Sequence, residues 1–383
     1  MKTKDKHYWL VSFILFLFGL SFSLVSNAST VMTGISDGMN YQIKLVTQNL
    51  GIPWGMTFIT ENQILITQRQ GSALLLDLTN NTRKPVRGLP KIAASGQGGL
   101  MDVITEPNYQ YPDGWIYFTY SQDTSKGDIT ALARTRLSNE TLTDWQELLA
   151  TDSASGTSRH FGSRITFDEQ GHLFFSIGDR GVRPNGQDLT NHAGSILRLN
   201  LDGTIPADNP FANQSAARPE IWSYGHRNPQ GLAYDYQTNR LWAIEHGPRG
   251  GDEINLIIKG KNYGWPITSH GKEYWGPLAV GEATEKEGIE SPKKVYIPSI
   301  APGSLLLYTG EAFPNWQGDL FAGALKLQHI NHLSLDETGN IINEERLITE
   351  LEERVRALIQ SPDGLIYFST DNGNLYQISP VQP

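Results

Sequence analysis

One pattern recurs along this chain: a short apolar strand, a polar turn, then a second strand mixing aliphatic with aromatic residues. It occurs at 54–71 (WGMTFITENQILITQRQG), 99–121 (GLMDVITEPNYQYPDGWIYFTYS) and 163–181 (SRITFDEQGHLFFSIGDRG). It returns at 230–248 (QGLAYDYQTNRLWAIEHGP), 304–325 (SLLLYTGEAFPNWQGDLFAGAL) and 355–373 (VRALIQSPDGLIYFSTDNG). Turns such as DEQG and SPDG between such strands are hairpin signals. Copies spaced by roughly 45–75 residues match the period of propeller blades that carry loop insertions. A β-sandwich needs no such self-similarity, and a βαβ fold needs helices between its strands. Only TDWQELLA (143–150) offers even a short turn of helix. The chain reads as all-β: a six-bladed β-propeller forming a single domain over 35–383.

The N-terminus stands apart from this pattern. Lys2, Lys4 and Lys6 precede the apolar run YWLVSFILFLFGLSFSLV, and Ser26 and Ala28 are the small residues before a cleavage point. These are the parts of a secretory signal peptide over 1–28. They predict a periplasmic protein with no stable membrane insertion once the leader is removed. The chain has no cysteine, which excludes a thiolate nucleophile, a Cys-ligated zinc and an iron–sulfur cluster. A formal net charge of −9 without any Lys/Arg-rich run argues against nucleic acid as a partner. There is no Walker A loop, HExxH helix or GxSxG elbow.

A fold alone gives no function, so the informative residues are polar ones at equivalent points of several repeats. Gln97 lies in ASGQGGL, His160 in GTSRHFGSR and Asp179 in SIGDRG. Arg227 and Asn228 lie in GHRNPQG, Lys326 in GALKLQH, and Arg354 with Arg356 in EERVRAL. Each has a plain alternative when taken singly. Gln97 suits a turn, His160 is one histidine of nine, and the two arginines could pair with Glu352 or Glu353. Together, inward-facing cations in an acidic protein suit an anionic ligand bearing several carboxylates or phosphates. The turn HGPRGGDE adds Gly/Pro carbonyls and the carboxylates Asp252 and Glu253. That is either an oxygen-rich setting for Ca²⁺ or a solvated acidic loop.

GQGGLMDV, SRHFGSRITFD, GDRG, GHRNPQGLAYD, EHGPRGGDEINLI, KNYGWP, IAPGSLLLY, GALK and RVRALIQSPDG follow one another from about residue 40 to 378. In that order they resemble the soluble quinoprotein aldose sugar dehydrogenases of the glucose/sorbosone dehydrogenase group. The resemblance implies a six-bladed propeller that uses pyrroloquinoline quinone (PQQ) and Ca²⁺. It places His160 as general base, Asp179 as the carboxylate that orients it, and Arg227 with Asn228 against quinone and substrate. Gln97, Lys326, Arg354 and Arg356 match cofactor contacts, the last three toward its carboxylates. Tyr274 is a looser match to a cofactor-side aromatic, and Ser299 occupies a position that is threonine in a glucose-oxidising relative. Gly247 and Pro248 match the turn whose carbonyls hold the cofactor's calcium; Glu253 and Tyr263 match ligands of a further calcium. Arg159 departs from the glucose-oxidising branch, which has an acidic residue directly before the base.

The implied reaction oxidises an aldose at its anomeric C1 hydroxyl to a lactone, with hydride passing to PQQ and calcium acting as Lewis acid. A separate electron acceptor, unspecified by the residues, must then carry the electrons onward. Two other readings compete. A calcium-dependent lactonase-type hydrolase would use the DEINL loop but not Lys326, Arg354 and Arg356. A non-catalytic sugar- or protein-binding propeller would leave His160 and Asp179 idle.

Overall fold

The computed structural model describes residues 29–381; the expected leader at 1–28 lies outside them. The described residues form strands, with three short 3₁₀ turns between them. Six antiparallel sheets are present. Five are four-stranded and span 53–85, 100–150, 165–224, 229–296 and 302–347. The sixth combines 355–380 with 30–47 and has five strands. The first strands of the sheets, Pro53–Thr60, Leu100–Thr105, Ile165–Phe167, Pro229–Asp235, Pro302–Leu307 and Val355–Gln360, touch one another in turn and close a ring. This is the six-bladed β-propeller that the repeats predict.

Each repeat copy is the inner hairpin of one blade, and burial on both faces explains its composition. In His172–Ile177, Leu173, Phe175 and Ile177 pack with Tyr117 and Leu132 of the preceding blade. Phe174, on the other face, packs with Leu232, Leu241 and Ala243 of the following blade. Alternate side chains of a strand point to opposite faces, so both sets must be apolar.

The ring is closed by the chain's own N-terminus. Met39–Thr47 pairs with Leu375–Pro380, and Thr30–Ser36 adds the outermost strand, so the last blade includes residues before 35. The Ser36 hydroxyl donates to Glu345 of the preceding blade at 2.5 Å and lies 2.8 Å from His332 Nδ1.

Residues 143–150 are not helical. They belong to the edge strand Thr141–Ala150, which pairs with Ile129–Ser138 through two register irregularities. Such bulges shift the side-chain alternation, which explains the helix-like spacing of TDWQELLA. Trp145 there packs against Phe118 and Tyr120.

One residue ties all six blades together at the axis. Arg164, buried, donates to the Asp102 carboxylate at 3.0 Å and to the carbonyls of Gln230 and Arg356, each at 2.9 Å. It also reaches the Gly303 carbonyl, and its guanidinium lies 4.0 Å from the centre of the Trp54 ring. Trp54, Gln230 and Arg356 face a cavity of ≈ 200 Å³ on one side of this layer. Residues further along the inner strands line a larger cavity of ≈ 520 Å³ on the other. Arg164 and Asp102 divide the channel.

Candidate active site

The ≈ 200 Å³ cavity is built by two sets of loops. The segments entering the inner strands bring Gln97, Asn228 and Arg354, with Gln230 at the start of its inner strand; those leaving the second strands bring Arg69, His246 and Asp371.

His160 stands at its edge, joined to Asp179. Nδ1 of His160 lies 2.6 Å from Asp179 Oδ1, and the His160 backbone N–H donates to Gln97 Oε1 at 2.7 Å. The backbone of His160 is left-handed (φ 57°), a conformation that a non-glycine residue holds only when its surroundings enforce it. Gly178 helps to enforce it, because a Cβ there would meet the His160 carbonyl at 2.4 Å. Asp179 is 1 % exposed and also accepts from the Trp265 indole and the Gly181 N–H, both at 2.7 Å. Burial would raise Asp179, but its bonds to His160 and Gly181 bring it below the ordinary carboxylate value. Burial lowers His160, and the nearby Arg227 charge adds to this against the opposing pull of Asp179. The imidazole is therefore neutral at pH 7. With Nδ1–H directed at Asp179, Nε2 is left as the basic nitrogen.

The GHRNPQG turn supplies Asn228 and Gln230 to this cavity and Arg227 to a smaller one beside it. Arg227 donates its backbone N–H to Glu245 at 2.7 Å, and its Nη1 donates to the carbonyls of His246 (3.2 Å) and Gly247 (2.7 Å). The Trp265 ring centre is 5.3 Å from its guanidinium. Asn228 Oδ1 accepts from the Gly162 N–H at 3.1 Å and from Gln230 Nε2 at 3.3 Å. His226, fully buried between Glu245 and Ser223, supports the turn from behind.

The cations sort into three groups. Arg354 and Arg356 line the cavity and share Asp371 rather than Glu352 or Glu353. Glu353 is held instead by Thr370, Asn374 and Tyr376. Arg69 lines the same cavity and was not among the sequence candidates. A signal for it exists: Arg69 follows its blade's second strand just as His246 and Asp371 follow theirs. Lys326 is exposed and does not line the cavity.

Two further candidates stand outside the cavity. Tyr274 is 66 % exposed and lies outside the cavity, because its loop pairs across the 247–251 turn and projects into solvent. Ser299 is buried, and its hydroxyl bonds to Asp252 (2.9 Å), the Pro248 carbonyl (3.3 Å) and the Gly250 N–H (3.0 Å). It shapes the HGPRGG turn and does not line the cavity.

The metal candidates meet at a second, small cavity of ≈ 20 Å³. It is lined by Gly247, Pro248, Glu253 and Tyr263 together with Glu245 and Trp265. Room for about one probe sphere, roughly 10–15 Å³, suffices for a single water or ion. Glu253 is pushed up to about 8 by burial and the neighbouring Glu245 charge, and its hydrogen bond from Asn255 is long at 3.4 Å. The Tyr263 hydroxyl is engaged by the Leu256 carbonyl and the Ile258 N–H, which leaves its backbone as the possible ligand. Among the described residues no group of three or more His, Cys, Asp or Glu side chains could hold a metal. A cation here would depend on carbonyl oxygens.

A family model described as glucose/sorbosone dehydrogenase matches residues 50–377. The chain belongs to the glucose/sorbosone dehydrogenase family. Within it, the aldose sugar dehydrogenase YliI of Escherichia coli is 39% identical over 348 residues, covering 88% of this chain and 92% of its own. Quinoprotein glucose dehydrogenase B of Acinetobacter calcoaceticus is 29% identical over 419 residues, covering 88% and 87% respectively. The crystal structure of the soluble aldose sugar dehydrogenase from Escherichia coli in its apo form matches with TM-score 0.85 at 37% identity, over 89% of this chain and all of the other. Among the described residues no helix is long and apolar enough to cross a membrane.

Proposed function

We propose that this member of the dehydrogenase family oxidises aldoses at the anomeric C1 hydroxyl to lactones, using PQQ and Ca²⁺. One observation carries the reading: a cavity lined by Gln97, to which the Asp179-paired His160 is bonded, contains three arginines, Arg69, Arg354 and Arg356. That donor set fits a planar tricarboxylate, since guanidinium groups bind carboxylates in a fork. A lactonase would have no use for it. The carbonyls of Gly247 and Pro248 each accept one bond within the protein, and a carbonyl oxygen has two lone pairs. Both can therefore also face a calcium ion, and Glu253 and Tyr263 line the same small cavity. When bound, PQQ would supply the hydride acceptor and calcium a Lewis acid.

The protein's own residues do the rest. His160 Nε2 takes the proton of the anomeric hydroxyl as the carbon–hydrogen bond breaks. Asp179 fixes the tautomer beforehand and stabilises the imidazolium afterwards. Arg227 uses Nη1 to hold two backbone carbonyls, which leaves Nε and Nη2 available to developing negative charge. Trp265, bonded to Asp179 and beneath Arg227, keeps these groups in one arrangement. The leader-like residues 1–28 support a periplasmic enzyme.

The cation assignment is tested by titrating PQQ into the apoprotein with Ca²⁺ present. Arg69→Ala weakens binding about tenfold to a hundredfold, the worth of a charge-assisted hydrogen bond. Lys326→Ala, at an exposed position, changes it less. Equal and unchanged affinities for both variants would remove the cofactor from this cavity.

A further inference from the structure

Arg159 directly precedes His160, and the mechanism above leaves it without a task. It is exposed, and among the described residues it takes part in no ion pair. Its backbone is nevertheless firmly held. Arg180 bonds the Arg159 carbonyl, together with those of Asp128 (3.0 Å) and Thr157 (3.2 Å). Arg180 is itself buried, 3.4 Å from the centre of the Phe161 ring. The Arg159 side chain packs over Gly181, where an added Cβ would stand 3.0 Å from its Nε. Gly181 donates to Asp179 Oδ1. The guanidinium thus lies beside the turn that carries the partner of His160.

The carboxylates of the site loops are already engaged. Asp179 serves His160 and Trp265, Asp371 serves Arg354 and Arg356, Glu273 takes both ends of Arg183, and Asp128 accepts from Ser95. Arg69, Arg354 and Arg356 line the cofactor cavity; Arg159 does not. Its unspent charge is on the histidine side, where a substrate rather than the cofactor would lie.

We propose that Arg159 binds an anionic group on the sugar, so that aldoses carrying a carboxylate or phosphate remote from C1 are preferred substrates. This rests on the reading of His160 as the base acting at C1. A guanidinium presents a planar fork suited to either anion. An exposed site limits the gain to about tenfold and makes it sensitive to salt.

The test uses protein reconstituted with PQQ and Ca²⁺, and compares kcat/KM for glucose, glucuronate and glucose 6-phosphate. At low ionic strength at least one anionic sugar exceeds glucose by about tenfold, and added salt shrinks the advantage. The arm that gains identifies carboxylate or phosphate as the group read. Arg159→Gln brings the sugars to parity while glucose kinetics stay within about twofold, and Arg159→Glu reverses the order. Calorimetric binding of glucuronate to the same three proteins follows the same ranking. Glucose equal or superior in the parent, or an anion preference that survives Arg159→Gln, overturns the proposal and leaves the dehydrogenase reading standing. Failure to oxidise any aldose overturns the dehydrogenase reading and this proposal with it.

Discussion

His160→Gln lowers turnover by about two to four orders of magnitude, the usual contribution of a positioned acid–base group, while PQQ still binds. The two effects separate because the residues sit in different places. His160 bonds to Asp179 at the edge of the cavity, whereas Arg69, Arg354 and Arg356 line it. Glutamine retains a polar side chain toward Asp179 but has no nitrogen that can accept a proton near pH 7. The pH profile gives an independent readout. A base works only when unprotonated, and burial holds His160 below its ordinary value of 6.5. The parent rate therefore falls as pH drops through a point below 6.5, and that acid limb is missing in the variant. Single-turnover reduction of bound cofactor across pH measures both. A variant that keeps the parent rate, or the same acid limb, would assign the base to another group.

Arg164→Met destabilises the fold by about 3–5 kcal/mol, the cost of leaving a buried charge without its partner. The substitution strands the Asp102 carboxylate and frees three carbonyls contributed by three other blades. Asp102→Leu combined with Arg164→Met recovers part of the loss, because no charge is then left buried alone. Denaturant midpoints of the parent, single and double variants give the comparison. A single variant within about 1 kcal/mol of the parent, in the range of ordinary surface changes, would show that the axis is held by the strands alone.

The blades were legible because their rule is local. Strands such as His172–Ile177 bury both faces, so their apolar pattern repeats wherever a blade occurs. The edge strand Thr141–Ala150 was not, because its bulges break the alternation that identifies a strand. Nor was the contribution of Thr30–Thr47 to the last blade, since ring closure pairs residues at opposite ends of the chain. In the site, the His160–Asp179 pair and the GHRNPQG turn could be picked out as unusual polar groups beside glycine. Which way a loop side chain points depends on tertiary contacts instead. Ser299 turns to Asp252, Tyr274 turns to solvent, and Arg69 turns into the cavity from an unremarkable TQRQG. Aligning the residues that follow each second strand would have set Arg69 beside His246 and Asp371. Arg164 lies within SRHFGSR, but its reach to the five other blades has no local signature.

The most direct test is reconstitution of purified apoprotein, followed by sugar-dependent reduction of an artificial dye. Activity appears only when PQQ and Ca²⁺ are both supplied, and it requires an aldose with a free anomeric hydroxyl. Full dye reduction in quinone-free, metal-free protein, or none after both are added, would contradict the assignment of this cavity to a quinone-dependent sugar dehydrogenase.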